Sequence, residues 1–404
     1  MRCTLGSIAA AVFSGILAGW PLLWRYEDAH WYYEMASGNP VRRPFAERQL
    51  DPLLARLLHL SGLSLLHGFE AIGLFSFVAF AASLFWILNS HGAGVKTMAL
   101  VALTSFWAIA FGGFMLPDTL NNLLLLIFVL LLMRSQYMAA MVMLLPLALS
   151  RETVVLIAIA VGVAAWGKLR LRHMTIGALS LIAGLVSVKF LSAHSPGNVD
   201  HLNEFAYLAL KGPFNFTYNA LGIEPWANTL PHTCSVPRWS IPAHIGGISA
   251  IGICGFSVYL PLYTLATLFC EFGLFLFLLP QVAQKKAAWI RFCALYGLAC
   301  FVLAPVAGSA LDRLTAYSWP LFFIAVPLCA EETISRLPWA AIIASGVASW
   351  LYCLIEVRGP RLGLLLPAIL ALAAATPLLA PLATSTARSA TLRLYIRLGT
   401  QRLR

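Results

Sequence analysis

Apolar residues in this chain fall in long, nearly unbroken runs rather than in the alternation of a half-buried strand or the spacing of an amphipathic helix. Runs of about 18 or more residues with few charges read as membrane-crossing helices. Lipid offers backbone amides no partner but one another, so each such run must be helical. The pattern predicts helices near 4–24, 69–89, 97–116, 119–133, 136–150, 152–167, 174–192, 256–280, 289–307, 315–331, 337–356 and 362–383. The fourth, fifth and sixth are short for a span, so they tilt or one is re-entrant. The expected fold is an all-α polytopic transmembrane bundle of about 12 helices, within a range of roughly 10–13. The first run, from Thr4, has no small-residue cleavage pattern and reads as a retained helix rather than a signal peptide.

Two polar stretches interrupt the pattern. Residues 25–68 form a charged, aromatic segment whose later part, from Asp51 to Leu60, has apolar positions near helical spacing and is expected to lie along the interface. Residues 193–250 form a second, Pro-rich and aromatic segment. Neither is long enough for an independent soluble domain, so the chain reads as one membrane domain with two outer loops and a basic tail over 384–404.

Composition agrees. Hydrophobic residues make up 60 % of the chain, charged residues only 11 %, and the mean hydropathy is +0.82. A water-soluble domain carries about a quarter charged residues. The formal charge of +11 does not indicate a nucleic-acid partner, because no basic stripe with interleaved aromatics lies on a soluble module. The Lys and Arg residues sit in short loops instead, where they orient helices. With a cytoplasmic amino terminus, Arg2, Lys96, Arg134, Lys168, Arg170, Arg172, Lys285, Lys286, Arg291, Arg336 and the tail arginines share one side. Glu27, Asp28, Asp118, Glu152 and Asp312 then share the other, and since acids contribute little to topology, their grouping suggests a site. The eight cysteines fall mostly inside apolar runs without a C-x-x-C pair, so they predict small core residues rather than a zinc site or a disulfide framework.

Each polar candidate has two readings. Glu27 and Asp28 follow the first helix at the membrane surface, where a carboxylate can take a proton from an acceptor hydroxyl or be an ordinary solvated acid. Arg48 and Arg151 offer the planar paired donors that match a phosphate. The alternatives are a solvated cation for Arg48 and a local ion pair for Arg151-Glu152. Asp118 follows Pro117, either as a site residue or as a helix-start cap. Asp312-Arg313 reads as a local pair or as a phosphate ligand from Arg313. Trp31, Tyr32 and Tyr33 can stack on a sugar or crowd the interface. Lys189 can reach outward from a helix end, whereas Glu271 within an apolar run remains a functional hypothesis. His30, His201, His232 and His244 lack metal-ligand spacing, so no cofactor is called for and a divalent metal, though possible, is not indicated.

From Asp28 the chain reads D-x-x-x-Y-x-x-x-A-x-G through Tyr32, Ala36 and Gly38, then P-F-x-x-R-x-L-x-P from Pro44 through Arg48 to Pro52. This resembles the first outer loop of bacterial membrane glycosyltransferases of the GT-C superfamily. The likeness is densest over 25–55 and continues through Pro117-Asp118, Arg151-Glu152 and Arg313. The resemblance implies a GT-C-like bundle that transfers a sugar from a polyprenyl-phosphate carrier to a glycan, lipid or protein acceptor on the outer face of the inner membrane. Asp28 is the implied base and Glu27 the less favoured one. Arg48, Arg151, Glu152, Asp118, Arg313 and Tyr32 are the expected substrate and phosphate site. A transporter or flippase, or a glycan polymerase for lipid-linked saccharides, is the alternative. A transporter is expected to carry charges or helix breaks near the midplane, often in paired repeats, which are not evident in the sequence.

Overall fold

The computed structural model describes residues 2–19, 27–111, 116–196, 204–228, 234–245, 248–308, 311–358 and 366–378. It is mostly helical, and a helix occupies every apolar run. Leu65–Ser90, Leu171–Leu191 and Ala288–Ala307 are each long and apolar enough to cross a membrane. Tyr259–Cys270 continues into the helical stretch ending at Ala283 after a bend of 68°, and together they would make a fourth span. Shorter apolar helices, including Asp118–Met133, Val154–Ala164, Trp339–Leu354 and Leu366–Leu378, fill other runs, so among the described residues three helices, or four with the bent pair, have the length of a span rather than about twelve. The third run is not continuous: Val95–Ala102 and Phe106–Phe111 flank a break.

Aromatic packing holds the bundle centre. Phe80, Phe106, Trp107, Phe111, Trp319 and Phe323 are fully buried and meet mostly edge to face or tilted. Burial of this kind is worth about 25 cal/mol per Å² of apolar surface relative to water. The bundle's outer surface is apolar as well: Phe75, Trp86, Leu179, Val186 and Phe190 are all exposed on the two longest helices.

Loops sort to two ends. At one end, Lys96 Nζ donates to the carbonyls of Ser335 (2.8 Å) and Leu337 (2.6 Å), and His91 packs against Trp289. This joins three of the loops that the positive-charge count places together. The first polar stretch lies at the other end. It holds the helix Glu27–Ala36, a turn with a cis Arg43–Pro44 bond, and the helix Leu50–Leu60. Leu50–Leu60 buries Asp51, Pro52 and Ala55 and exposes Leu57 and Leu60.

Two expectations fail in the second polar stretch. It contains a helix, Glu204–Leu221, followed by three strands, β1 (Ile223–Ala227), β2 (Trp239–Ile245) and β3 (Ile248–Phe256), so the fold is not all-α. The order is β1-β3-β2 and both pairings are antiparallel, with Ile251 opposite Ala227 and Ile241. Pro225 and Pro242 lie on the edge strands, where a missing amide donor costs least. Cys234 and Cys254 form a disulfide that ties the approach to β2 to the central strand. The cysteine reading missed it because the two residues lie 20 positions apart, with no motif between them. Asn215 and Asn219 fasten this region to the bundle by donating to the carbonyls of Val306, Pro305 and Gly308 at the end of Ala288–Ala307. The sheet therefore rests on the bundle, and the basic tail over 384–404 lies outside the described residues.

Candidate functional site

Five separate segments bring their polar side chains together at the loop-rich end. The helix Glu27–Ala36 supplies Asp28 and Tyr32, and the following turn supplies Arg48. Asp118 opens the helix Asp118–Met133. Arg151 and Glu152 occupy the break between Leu144–Ser150 and Val154–Ala164. Arg313 and Tyr317 lie on and just after the short helix Leu311–Ala316.

Asp118 is the hub. Its Oδ1 accepts from Arg151 and from the Tyr317 hydroxyl in short contacts, and its Oδ2 accepts from Arg313 Nη2 at 2.8 Å. The Arg151 guanidinium also lies over the Tyr317 ring, 4.5 Å from its centroid. Arg313 turns its other nitrogen outward, so that Nη1 donates to Asp28 Oδ2 at 2.8 Å. Beside this, Arg48 makes a paired contact with Glu152, Nε at 3.1 Å and Nη2 at 2.7 Å, while its Nη1 donates to the Tyr32 hydroxyl at 2.8 Å. Three guanidinia thus meet three carboxylates, and the cluster balances its formal charge.

Burial grades across the cluster. Asp118, Arg151, Arg48 and Tyr32 are buried. The side chains of Asp28 and Glu152 retain 32 % and 47 % exposure, so the cluster opens to its surroundings at those two acids. Burial raises the Tyr32 hydroxyl above its usual range despite the nearby Arg48 and Arg313, so it remains a neutral hydrogen-bonding group. Burial would also raise Glu152, but Arg48 and then Arg151 hold it below the usual carboxylate range. Arg48 stays firmly charged against its own burial because Glu152 lies beside it.

Several local readings of the sequence are replaced by longer-range ones. Asp118 does not cap its helix, since no side-chain cap bond forms there. Arg151 and Glu152 do not simply pair with each other, because each reaches a different segment. Arg313 bonds Asp28 and Asp118 rather than only its neighbour Asp312. Asp118 and Glu152, which were expected in the substrate and phosphate site, are anions that pair with Arg151 and Arg48. Tyr32 is buried with its hydroxyl accepting from Arg48, and Trp31 stacks one face on Phe45 at 5.9 Å and is partly buried. The charge of Lys189 acts on Glu47 of the first polar stretch, as an outward-reaching lysine would. The Glu27 side chain, His201 and His232 lie outside the description. Among the described residues no group of acids, histidines or cysteines has the geometry of a metal site.

Sequence reasoning missed Tyr317, which stands inside an apolar run, and Asp51, which is buried with no partner for Oδ1 and faces the charge of Asp118. No family model matches the chain, and neither a curated protein nor a solved structure matches it.

Proposed function

We propose that this chain is an integral-membrane glycosyltransferase that moves a sugar from a polyprenyl-phosphate carrier to an acceptor hydroxyl at the outer bilayer surface. The observation that carries this reading is the meeting of Asp28, Asp118, Arg151 and Arg313 in one bonded network, across as many as 285 residues of sequence, beside a second network of Arg48 and Glu152. Burying Arg48 and Arg151 is costly, and a bundle meant only to stand in lipid gains nothing from it. An anionic leaving group gives the arginines a use: they stabilise charge as it develops on the carrier phosphate.

Two further features support the setting. The exposed Phe, Leu, Val and Trp side chains along the longest helices form a larger apolar face than a protein in water sustains. The Cys234–Cys254 disulfide suits an oxidising, extracytoplasmic compartment for the sheet.

The reaction assigned to the site is a single displacement. The acceptor oxygen forms a bond to the anomeric carbon as the bond from that carbon to the carrier phosphate breaks. The electron pair leaves with the phosphate and the hydroxyl proton goes to Asp28. Asp28 suits this role because its side chain keeps 32 % exposure, open to an incoming hydroxyl, while Arg313 orients Oδ2 until the donor binds. Backside attack inverts the anomeric centre. Asp28→Asn preserves shape and removes the base, so transfer in proteoliposomes supplied with a polyprenyl-phosphate sugar should fall by about 10²–10⁴-fold. Near-normal transfer would remove Asp28 from that role.

A second reading, a proton-linked transporter for a lipid-linked saccharide, is favoured by one observation. The bent helix pair breaks at Glu271, a buried carboxyl, which is the kind of interruption transporters use. Movement of the carrier across the bilayer without sugar transfer would select it.

A further inference from the structure

Glu271 lies remote in sequence from the clustered acids, at the end of Tyr259–Cys270 where the helix pair bends by 68°. It is fully buried. The break is built into the sequence. Gly273 adopts φ +49°, and a Cβ there would strike the Ser345 hydroxyl. Hydroxyls from the helix Trp339–Arg358 serve the backbone groups released by the bend. Ser345 Oγ accepts from Leu274 N at 3.1 Å, and Ser349 Oγ donates to the Glu271 carbonyl at 3.0 Å. Ser349 Oγ in turn meets Ser105 Oγ at 2.7 Å.

Among the described residues the carboxyl group itself has a single partner. Oε2 makes a short contact with the Thr315 hydroxyl, and Oε1 has none. The charged and titratable groups around it are Asp312 on the helix Leu311–Ala316, Tyr352 on Trp339–Arg358, and its sequence neighbour Cys270. Among the described residues no Lys, Arg or His pairs with it. A carboxylate buried without a cation is far costlier than a neutral acid in the same place.

Counting hydrogens leads to the same state. Thr315 Oγ1 lies within bonding reach of Glu271 Oε2, the Leu311 carbonyl at 2.8 Å and the Asp312 carbonyl at 2.9 Å. A hydroxyl has one hydrogen and cannot serve three acceptors. If Glu271 carries a proton on Oε2, it donates to Thr315, and Thr315 donates onward to a carbonyl. Two of the three contacts then have a hydrogen, one more than the ionised acid allows, and Oε1 is left as an uncharged carbonyl oxygen.

We propose that Glu271 is a proton-binding site set in the break of the bent helix pair, occupied as the neutral carboxylic acid at neutral pH. Thr315 is its positioning residue, and Thr315 shares the helix Leu311–Ala316 with Arg313. Loss of the proton forces Thr315 to turn its hydrogen from the helix carbonyls to the carboxylate, so the site couples a proton to the helix that holds Asp28 and Asp118.

Apolar carbodiimides test this, because they modify carboxyl groups that are protonated and shielded from water. The full chain in proteoliposomes is treated with dicyclohexylcarbodiimide, and the adduct is located by peptide mass spectrometry. The expected result is an adduct at Glu271 that is absent in Glu271→Gln and falls about tenfold per pH unit once the acid ionises. An infrared spectrum of the same protein should contain a protonated-carboxyl band that Glu271→Gln removes and Thr315→Val shifts to higher frequency. Thr315→Val keeps the test open if Glu271→Gln fails to fold. Absence of the Glu271 band overturns the proposal. So does protection from the reagent by sodium ions at fixed pH, which would make the occupant a metal cation. None of these readouts involves sugar transfer, so they stand or fall apart from the enzymatic reading.

Discussion

Asp118→Asn is the substitution with the largest consequence that the structure predicts. The change is nearly isosteric, so its effect is electrostatic. Arg151 is buried, and its bonded carboxylate is Asp118. Arg313 is less dependent on it, because Asp28 remains at 2.8 Å. The cost therefore falls mainly on Arg151. Removing one partner of a buried ion pair costs about 3–5 kcal/mol, since the other charge is left uncompensated. That range corresponds to about 10²–10⁴ in the folded-to-unfolded ratio. It can be measured by reversible unfolding in mixed micelles, followed by tryptophan fluorescence. Arg151→Met in the same chain removes the stranded charge, so the double variant should recover about 0.5–3 kcal/mol relative to the sum of the single changes. A loss below about 1 kcal/mol for Asp118→Asn, the size of a solvated pair, would refute the picture of a desolvated hub.

Two other outcomes follow from Asp51 and from the disulfide of the sheet. Asp51 is 2 % exposed, and burial, then the charge of Asp118, holds its acid form well above the usual carboxyl range. The native state therefore keeps a proton that the unfolded chain releases above about pH 4, and Asp51 lowers stability progressively as pH rises from there toward its native titration. Asp51→Asn should thus gain on the parent in melting temperature as pH is raised from about 4 to neutrality, and a pH-independent difference would contradict this. Replacing both Cys234 and Cys254 by Ser opens a closure of 20 residues and should cost the sheet up to about 3 kcal/mol, read as faster proteolysis between residues 222 and 256. Reduction of the parent should add two maleimide tags to the unfolded chain, and no added tag would mean the bond does not form.

Helix positions were legible because lipid-compatible runs need no long-range information: composition within a window decides them. The site was legible in part for a related reason. Charges are rare in this chain, so those that occur at one end of several runs have few places to go. Asp28, Arg48, Asp118, Arg151, Glu152 and Arg313 were found on that basis, but their pairings were not. Neighbours in sequence suggested Arg151 with Glu152 and Asp312 with Arg313, whereas the structure joins Arg48 with Glu152 and Arg313 with Asp28. At 2.8 Å a partner on another helix outcompetes a sequence neighbour pointing elsewhere, and sequence carries no sign of which helices face each other. Tyr317 was hidden because a tyrosine in an apolar run looks like core until an acid is placed against its hydroxyl. The sheet was hidden because its strands are short, Pro-containing and set in a stretch with no clean alternation.

The graded burial of the cluster has a mechanistic consequence. Arg313 is shared between a buried carboxylate, Asp118, and one with 32 % of its side chain exposed, Asp28. An incoming phosphate competes for the arginine with both, but the two links differ in strength: about 3–5 kcal/mol for a buried pair against about 0–1 kcal/mol for a solvated one. The link to Asp28 yields first. In the proposed reaction, phosphate binding then frees the base at the moment the donor arrives, so the carboxylate is held by Arg313 until there is a sugar to transfer. Asp28→Ala should accordingly abolish transfer yet bind an inert polyprenyl-phosphate analogue up to about fivefold more tightly, because Arg313 no longer has to leave an outer partner. Binding is measured by fluorescence quenching in bilayer nanodiscs, with Arg313→Gln as the reference that loses affinity. Weaker binding by Asp28→Ala than by the parent would show that the aspartate contacts the donor directly and does not compete for its phosphate ligand.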